Sequence, residues 1–422
     1  WMPEQRDAWL KETYLAAIQS VDRSVKLIHK VPSSAGKSMD GSTSVETETL
    51  VRSTLESIDY VDGPIWLSGK YNWSHGHSTS NFVRVHGGEL HDTYFKPKPT
   101  NYKFVWIVRN EDFFALRWGV PSFIRDHIRK NGRASAIGGY IVGSETYIPA
   151  LDYFTVADVK PTWRYAFERQ WLFYKLWGRL LYSPETPDSL FAQAFTGRYG
   201  AAGRNLLRAF ELASATPLRL ASFFDATWDH TLYSEGMLAL GDKTLDYISV
   251  DRLISRPTLD PELVSIADYV NAQRNNTSLP EQGVTPHQLA ETLESDCKEA
   301  LALVSEIDPD GDLALTYEIA DVRAWAHLGL HLAEKIRGGV DLELYRQGAP
   351  ESHKLSAVTH LEKALAHCDD VIEFTRPLYR DRRLTHTIGS SKSLNPDGYF
   401  HWPHLRPDVV KDIEVEKRAR SE

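Results

Sequence analysis

The chain has 422 residues, 42% hydrophobic and 25% charged, with a formal net charge of -9. That length exceeds what one core usually fills, so two domains are expected. The acidic balance, with no Lys/Arg-rich stripe, argues against nucleic acid, whose phosphates need clustered cations. No apolar run approaches the roughly 20 residues of a membrane helix, so no membrane partner is expected.

The chain opens on Trp1 and enters a helical pattern directly, without a signal-peptide pattern, and is read as a fragment or as a chain that has lost its N-terminal part. Trp9 to Val21 is amphipathic, and Ser24 to Lys30 is a short apolar run suited to a buried parallel strand. A second helix, Glu46 to Ile58, precedes the strand Pro64 to Asn72. A third strand, Tyr102 to Asn110, leads to a helix over Pro121 to Lys130, and a fourth strand covers Ala136 to Pro149. Strands alternating with helices predict a parallel α/β arrangement. No Gly-rich phosphate loop follows any strand, which favours a (β/α)8 barrel over an open doubly wound sheet.

Beyond Asp158 the pattern is helical. Helices are expected over Trp163 to Tyr182, Ser189 to Gly200, Ala202 to Ala215, Pro261 to Gln273, His287 to Ile307, Leu313 to Ile336 and Glu351 to Phe374. The fold class expected is α/β followed by all-α: the last four βα units of a barrel (1–158), a helical domain (159–380) and an extended polar tail (381–422). Cys297 and Cys368 both fall in helical patterns, which gives no disulfide framework and reads as two core thiols.

The segment VWIVRNEDFFALRWGVPSFIRDHIRKN, followed by GGYIVGSETYIPALDYF, resembles the final strands of the carbohydrate-active TIM-barrel glycoside hydrolases. Its continuation, WLFYKLWGRLLYSPETPDSLFAQAFTGRYG, is similar to the opening of the C-terminal helical domain in the xylan α-glucuronidase families, with Ser183-Pro184 where those have Asp-Pro. The resemblance covers roughly residues 100 to 200. It implies a barrel followed by a helical domain and cleavage of glycosidic bonds.

Such cleavage needs two carboxyl groups flanking the scissile bond, about 5 to 9.5 Å apart. Barrel sites form at the carboxyl ends of the strands. Glu145, ending IVGSE beside Tyr147, is the first candidate, and Asp112 and Glu111 in RNED follow. As neighbours in an extended segment, Glu111 and Asp112 point to opposite faces, so one at most faces the pocket. The alternative for all three is a rim or loop carboxylate.

Substrate contacts are expected from His29, Lys70 and Tyr71 at strand ends. Arg109, Arg117 and Trp118 offer a guanidinium fork and a stacking ring for an anionic sugar, with a rim ion pair as the competing use. Trp73, His75 and His77 sit in a polar loop; His75-x-His77 lacks a third ligand at a diagnostic spacing, so the loop is read as sugar-binding and no metal is expected. Trp228, Tyr233 and Glu235 crowd a short non-periodic stretch of the helical part, read either as substrate contacts or as a packing loop. With 12 Trp and 19 Tyr in the chain, rings suited to sugar stacking are plentiful, although core packing uses the same residues.

The reading is a glycoside hydrolase acting on a complex acidic polysaccharide or oligosaccharide by carboxylate acid/base chemistry. It needs no organic cofactor and is expected to be secreted or periplasmic. The alternative is a non-catalytic carbohydrate-binding barrel.

Overall fold

The computed structural model describes residues 2–21, 25–31, 45–72, 76–83, 92–109, 116–143, 155–156, 163–225, 235–240, 245–383 and 399–418. It divides into two compact units, Trp1–Asn110 with Arg125–Glu145, and Glu111–Ile124 with Thr146–Glu422.

In the first unit, α1 (Pro3–Trp9) runs through a π-helical turn (Leu10–Leu15) into α2 (Ala16–Val21). Then come β1 (Ile28–Lys30), α3 (Val45–Glu56), β2 (Ile65–Lys70), β3 (Tyr102–Arg109), α4 (Pro121–Asn131) and β4 (Ile137–Gly143), and the boundary between units falls within α4. The four strands make one parallel sheet in the order β1-β2-β3-β4. Parallel strands need long crossovers and burial on both faces. Accordingly Ile65, Leu67, Phe104 and Val108 are fully buried. Trp106 packs edge-on to Phe82, with centroids 4.8 Å apart, and tilted against Phe104 at 4.7 Å. Gly69 lets β2 lie under this cluster, since a β-carbon there would come within 2.4 Å of the Phe104 ring.

The second unit carries α5 (Ala166–Arg169), α6 (Trp171–Tyr182), α7 (Asp188–Tyr199), α8 (Leu206–Ala213) and α9 (Thr216–Phe223). A hairpin of β5 (Leu238–Leu240) and β6 (Leu245–Tyr247) precedes α10 (Val250–Ser255), α11 (Ile266–Asn275) and α12 (Pro286–Ser305). Two long helices follow, α13 (Leu313–Arg346) and α14 (Glu351–Thr375). The strand pair β7 (Arg382–Arg383) and β8 (Tyr399–Phe400) and helix α15 (Arg406–Arg418) complete it. Helix α13 is the spine: Trp325, Ala326, Ala333, Ile336, Val340 and Leu342 are all fully buried.

Two expectations change. The segment 381–422, read as an extended polar tail, contains α15, which buries Val409 and Ile413. Its Asp412 forms a buried ion pair with Lys335 at 2.8 Å. Helix α13 runs ten residues past its expected end at Ile336, through Gly338 and Gly339. Glycine is a poor helix former, but here a β-carbon at Gly338 would lie 3.0 Å from Leu361, and one at Gly339 3.1 Å from Ile266. The pair is a packing surface, not a stop. Among the described residues, no helix is long and apolar enough to cross a membrane.

Candidate functional site

At the carboxyl edge of the sheet, β3 and β4 end level, with Arg109 opposite Gly143, and β2 ends two residues earlier, with Lys70 opposite Ile107. In parallel α/β sheets that edge is where ligands bind. Glu111 and Asp112 follow β3 within three residues, and Glu145 follows β4 by two. Glu145, Glu111, Asp112, Tyr147, Trp73, His75, Trp228 and Tyr233 lie outside the described residues.

What is described at this edge is a buried polar cluster. Lys70, Tyr71, Asn72, His77, Ser78 and Thr79 are all buried. Asn72 adopts a left-handed conformation (φ 44°), which asparagine tolerates better than most residues. Its amide donates to the Asn81 carbonyl, and its side-chain oxygen accepts from the Val83 amide, both at 2.9 Å, so one side chain folds the following loop back onto the strand end.

The Tyr71 ring lies 4.1 Å from the His127 ring and meets Trp106 edge-on at 5.3 Å. Its hydroxyl accepts from Asn131 Nδ2 at 3.2 Å, and the Trp106 indole donates to the Asn131 carbonyl at 3.0 Å. His127 Nδ1 is 3.3 Å from the Tyr140 hydroxyl. Burial, helped by the nearby His77, pushes His127 down to about 3, so its imidazole is neutral at pH 7. Tyr71 and His77 both lie against His127, and they and Lys70 are buried, which leaves no face for a sugar ring and corrects their expected role as substrate contacts. His29 is half-buried on β1, with its pKa lowered by burial, and Arg109 closes β3. Sequence reasoning missed Asn72, His127 and Asn131; a polar residue just past a strand, and a polar helix end, were the available signals.

Arg117, Trp118 and Glu235 have other work, in the second unit. Arg117 donates from Nη1 to Asp321 at 2.9 Å and from Nε to the Arg169 carbonyl at 2.9 Å, and Nε lies 3.6 Å from Glu318. Its guanidinium also sits 4.7 Å from the Trp163 ring centre. Burial opposes its charge, but Glu318 and Asp321 more than offset that, so its pKa is raised.

Burial pushes Glu318 up, against the pull of Arg117, while Trp171 and Tyr199 donate to it at 2.9 and 3.0 Å. Tyr379 donates to Asp321. Glu235 accepts from the Leu116 amide at 2.6 Å, and the Trp325 indole donates to the Arg117 carbonyl at 2.8 Å. Arg117 is 1% exposed and Trp118 and Glu235 are 0%. No surface is left on these three for a sugar ring, which corrects their expected role as substrate contacts; Arg117 does form ion pairs, but with Glu318 and Asp321 of α13 and not with a neighbouring rim carboxylate. Core packing uses part of the aromatic content: Trp106, Trp118, Trp177, Trp325 and Trp402 are core residues, whereas Trp9 and Tyr182 are exposed.

A separate depression of about 470 Å³ in the second unit is lined by Ala201, Ala202, Asn205, Glu299, Ala302, Leu303, Glu306, Ile307 and Asp308. Glu299 is paired with Arg208 at 3.0 Å, and no aromatic ring lines the space, so it lacks the stacking face a sugar uses.

No protein-family model matches the chain, and neither does any curated protein, so the resemblance to xylan α-glucuronidases rests on the residues quoted for it. Among solved structures the fold is similar to that of a GH138 enzyme targeting pectin rhamnogalacturonan II. The TM-score is 0.67 at 14% identity, over 84% of this chain and 43% of that one. The chain thus spans less than half the length of this neighbour.

Proposed function

We propose that the chain is part of a glycoside hydrolase acting on a complex acidic polysaccharide, with pectin as the substrate class to try first. The observation that carries this reading is the likeness in fold to an enzyme that targets pectin rhamnogalacturonan II, over 84% of this chain. Fold alone does not fix function; the chemical part rests on the sequence positions of Glu111, Asp112 and Glu145 just after β3 and β4. A (β/α)8 barrel has its strands in sequential order, without the reversal of a doubly wound sheet. The order β1-β2-β3-β4 fits that rule.

In this reading Glu145 and one of Asp112 and Glu111 act as acid and base, while Lys70, Tyr71 and His77 shape the strand end that supports them. The test is hydrolysis of pectic oligosaccharides by the chain, by the whole gene product and by a Glu145→Gln variant. Loss of general acid or base costs about 10²- to 10⁴-fold in rate. Full activity in Glu145→Gln removes that residue from the mechanism. Binding without any hydrolysis by the whole gene product selects the carbohydrate-binding alternative.

A further inference from the structure

Helices α13 and α14 bring three metal-capable atoms to one point. His327 Nδ1 lies 3.2 Å from His367 Nδ1 and 3.0 Å from one carboxylate oxygen of Asp370, and His367 Nδ1 lies 3.4 Å from that same oxygen. His367 and Asp370 are three apart on α14 and so share a face toward His327 on α13. The triangle has the size of a coordination shell. A tetrahedral ion with bonds of about 2.0 to 2.1 Å holds its ligand atoms about 3.3 to 3.4 Å apart.

Protons alone satisfy this triangle poorly. A neutral imidazole carries a single N–H, and an ionised carboxylate carries none. If both Nδ1 atoms are protonated, Asp370 gains two donors but the two N–H groups confront each other. If one is protonated, the second imidazole presents a lone pair to the carboxylate. A cation at the centre meets all three acceptors together.

His327 is ready for that role. Its ring lies tilted against Phe374 with centroids 5.5 Å apart, which limits its rotation. Arg323, one turn earlier on α13 and 5.3 Å from the same Phe374 ring, is the charge that works against a cation, and Asp370 supplies the charge that favours one. The side chains are exposed at 14%, 26% and 39% for His327, His367 and Asp370, which leaves an entry path from solvent.

We propose that His327, His367 and Asp370 bind a divalent d-block cation of the Zn²⁺ type, stapling α13 to α14, with water at the fourth corner. Two imidazoles and a carboxylate suit such ions better than the all-oxygen shells of Mg²⁺ or Ca²⁺. The site shares no residue with the proposed glycan chemistry, so either can fail without the other.

The experiment uses the 422-residue chain, free of any histidine tag and treated with chelator, titrated with Co²⁺ as a spectroscopic probe and with Zn²⁺ by calorimetry. Expected are one ion per chain, the visible bands of four-coordinate Co²⁺, and a rise in Tm with Zn²⁺. His327→Ala with His367→Ala removes the bands and the rise. Asp370→Asn, isosteric and at an exposed position, weakens binding at least about 10- to 100-fold. The same uptake in the variants as in the original chain overturns the site, as does no uptake by the original chain. Should the double alanine variant fail to fold, Asp370→Asn decides alone.

Discussion

Two buried clusters, one in each unit, handle polar groups in opposite ways. Around Trp106 the buried set is neutral: Tyr71, Asn131, His127 and Tyr140 exchange hydrogen bonds without an ion pair among them. Around Trp325 the set is charged, with Arg117 between Glu318 and Asp321. A neutral network loses about 0.5–1.5 kcal/mol when one bond goes. A charged one strands its remaining charges in a low dielectric. Arg117→Met is therefore the largest effect expected, about 3–5 kcal/mol, seen as a drop of roughly 10 °C in the unfolding transition of the second unit. Combining it with Glu318→Gln and Asp321→Asn, which removes all three charges at nearly constant size, should recover part of the loss. If it recovers none, hydrogen-bond geometry rather than charge holds this region.

The neutral set is broken by acid instead. His127 is held neutral down to about pH 3 in the fold, but titrates near 6.5 once unfolded. Between those values the unfolded chain binds more protons, so stability falls as pH drops through that window and is unaffected above it. The slope is at most about 1.4 kcal/mol per pH unit for one such group. His127→Phe should lose that part of the slope. Urea midpoints at pH 7 and pH 5 measure it, and an unchanged difference between the two would assign the acid sensitivity to other groups.

The two units also differ in how far the sequence exposed them. The sheet was legible because β2 and β3 are apolar runs between turn signals, and their observed ends, Ile65–Lys70 and Tyr102–Arg109, fall within two residues of expectation. The strand-end rule picked out Lys70 and Tyr71, yet gave no means of knowing that both are buried, with the chain after them folded back by Asn72. In the helical unit the same kind of reasoning misassigned Arg117. An arginine beside a tryptophan after a strand reads as a ligand contact, and its partners Glu318 and Asp321 lie some two hundred positions away, where no local pattern points to them. Glycines 338 and 339 misled for a related reason, since their use is the approach of other helices, which is a tertiary fact. Helix α15 was missed because its apolar face is only Val409 and Ile413 in a charged stretch.

The smallest effect probes whether α13 is held by its packed face or by its end. The preceding turn places Asp310 and Gly311 at φ 43° and 77°, and Asp312 then caps the helix by accepting from the Leu315 amide at 3.1 Å. Asp312→Ala should cost about 1 kcal/mol, the ordinary value of a lost cap. Asp312→Asn keeps the hydrogen bond and gives up only the charge beside the helix dipole, about 0.3–1 kcal/mol. Urea midpoints with an unchanged m-value separate the two contributions. Equal losses in both variants would mean that charge, not the hydrogen bond, stabilises the start of the helix. A loss as large as that of Arg117→Met would contradict the packing account, because a 34-residue helix with its central turns fully buried should be insensitive to one end.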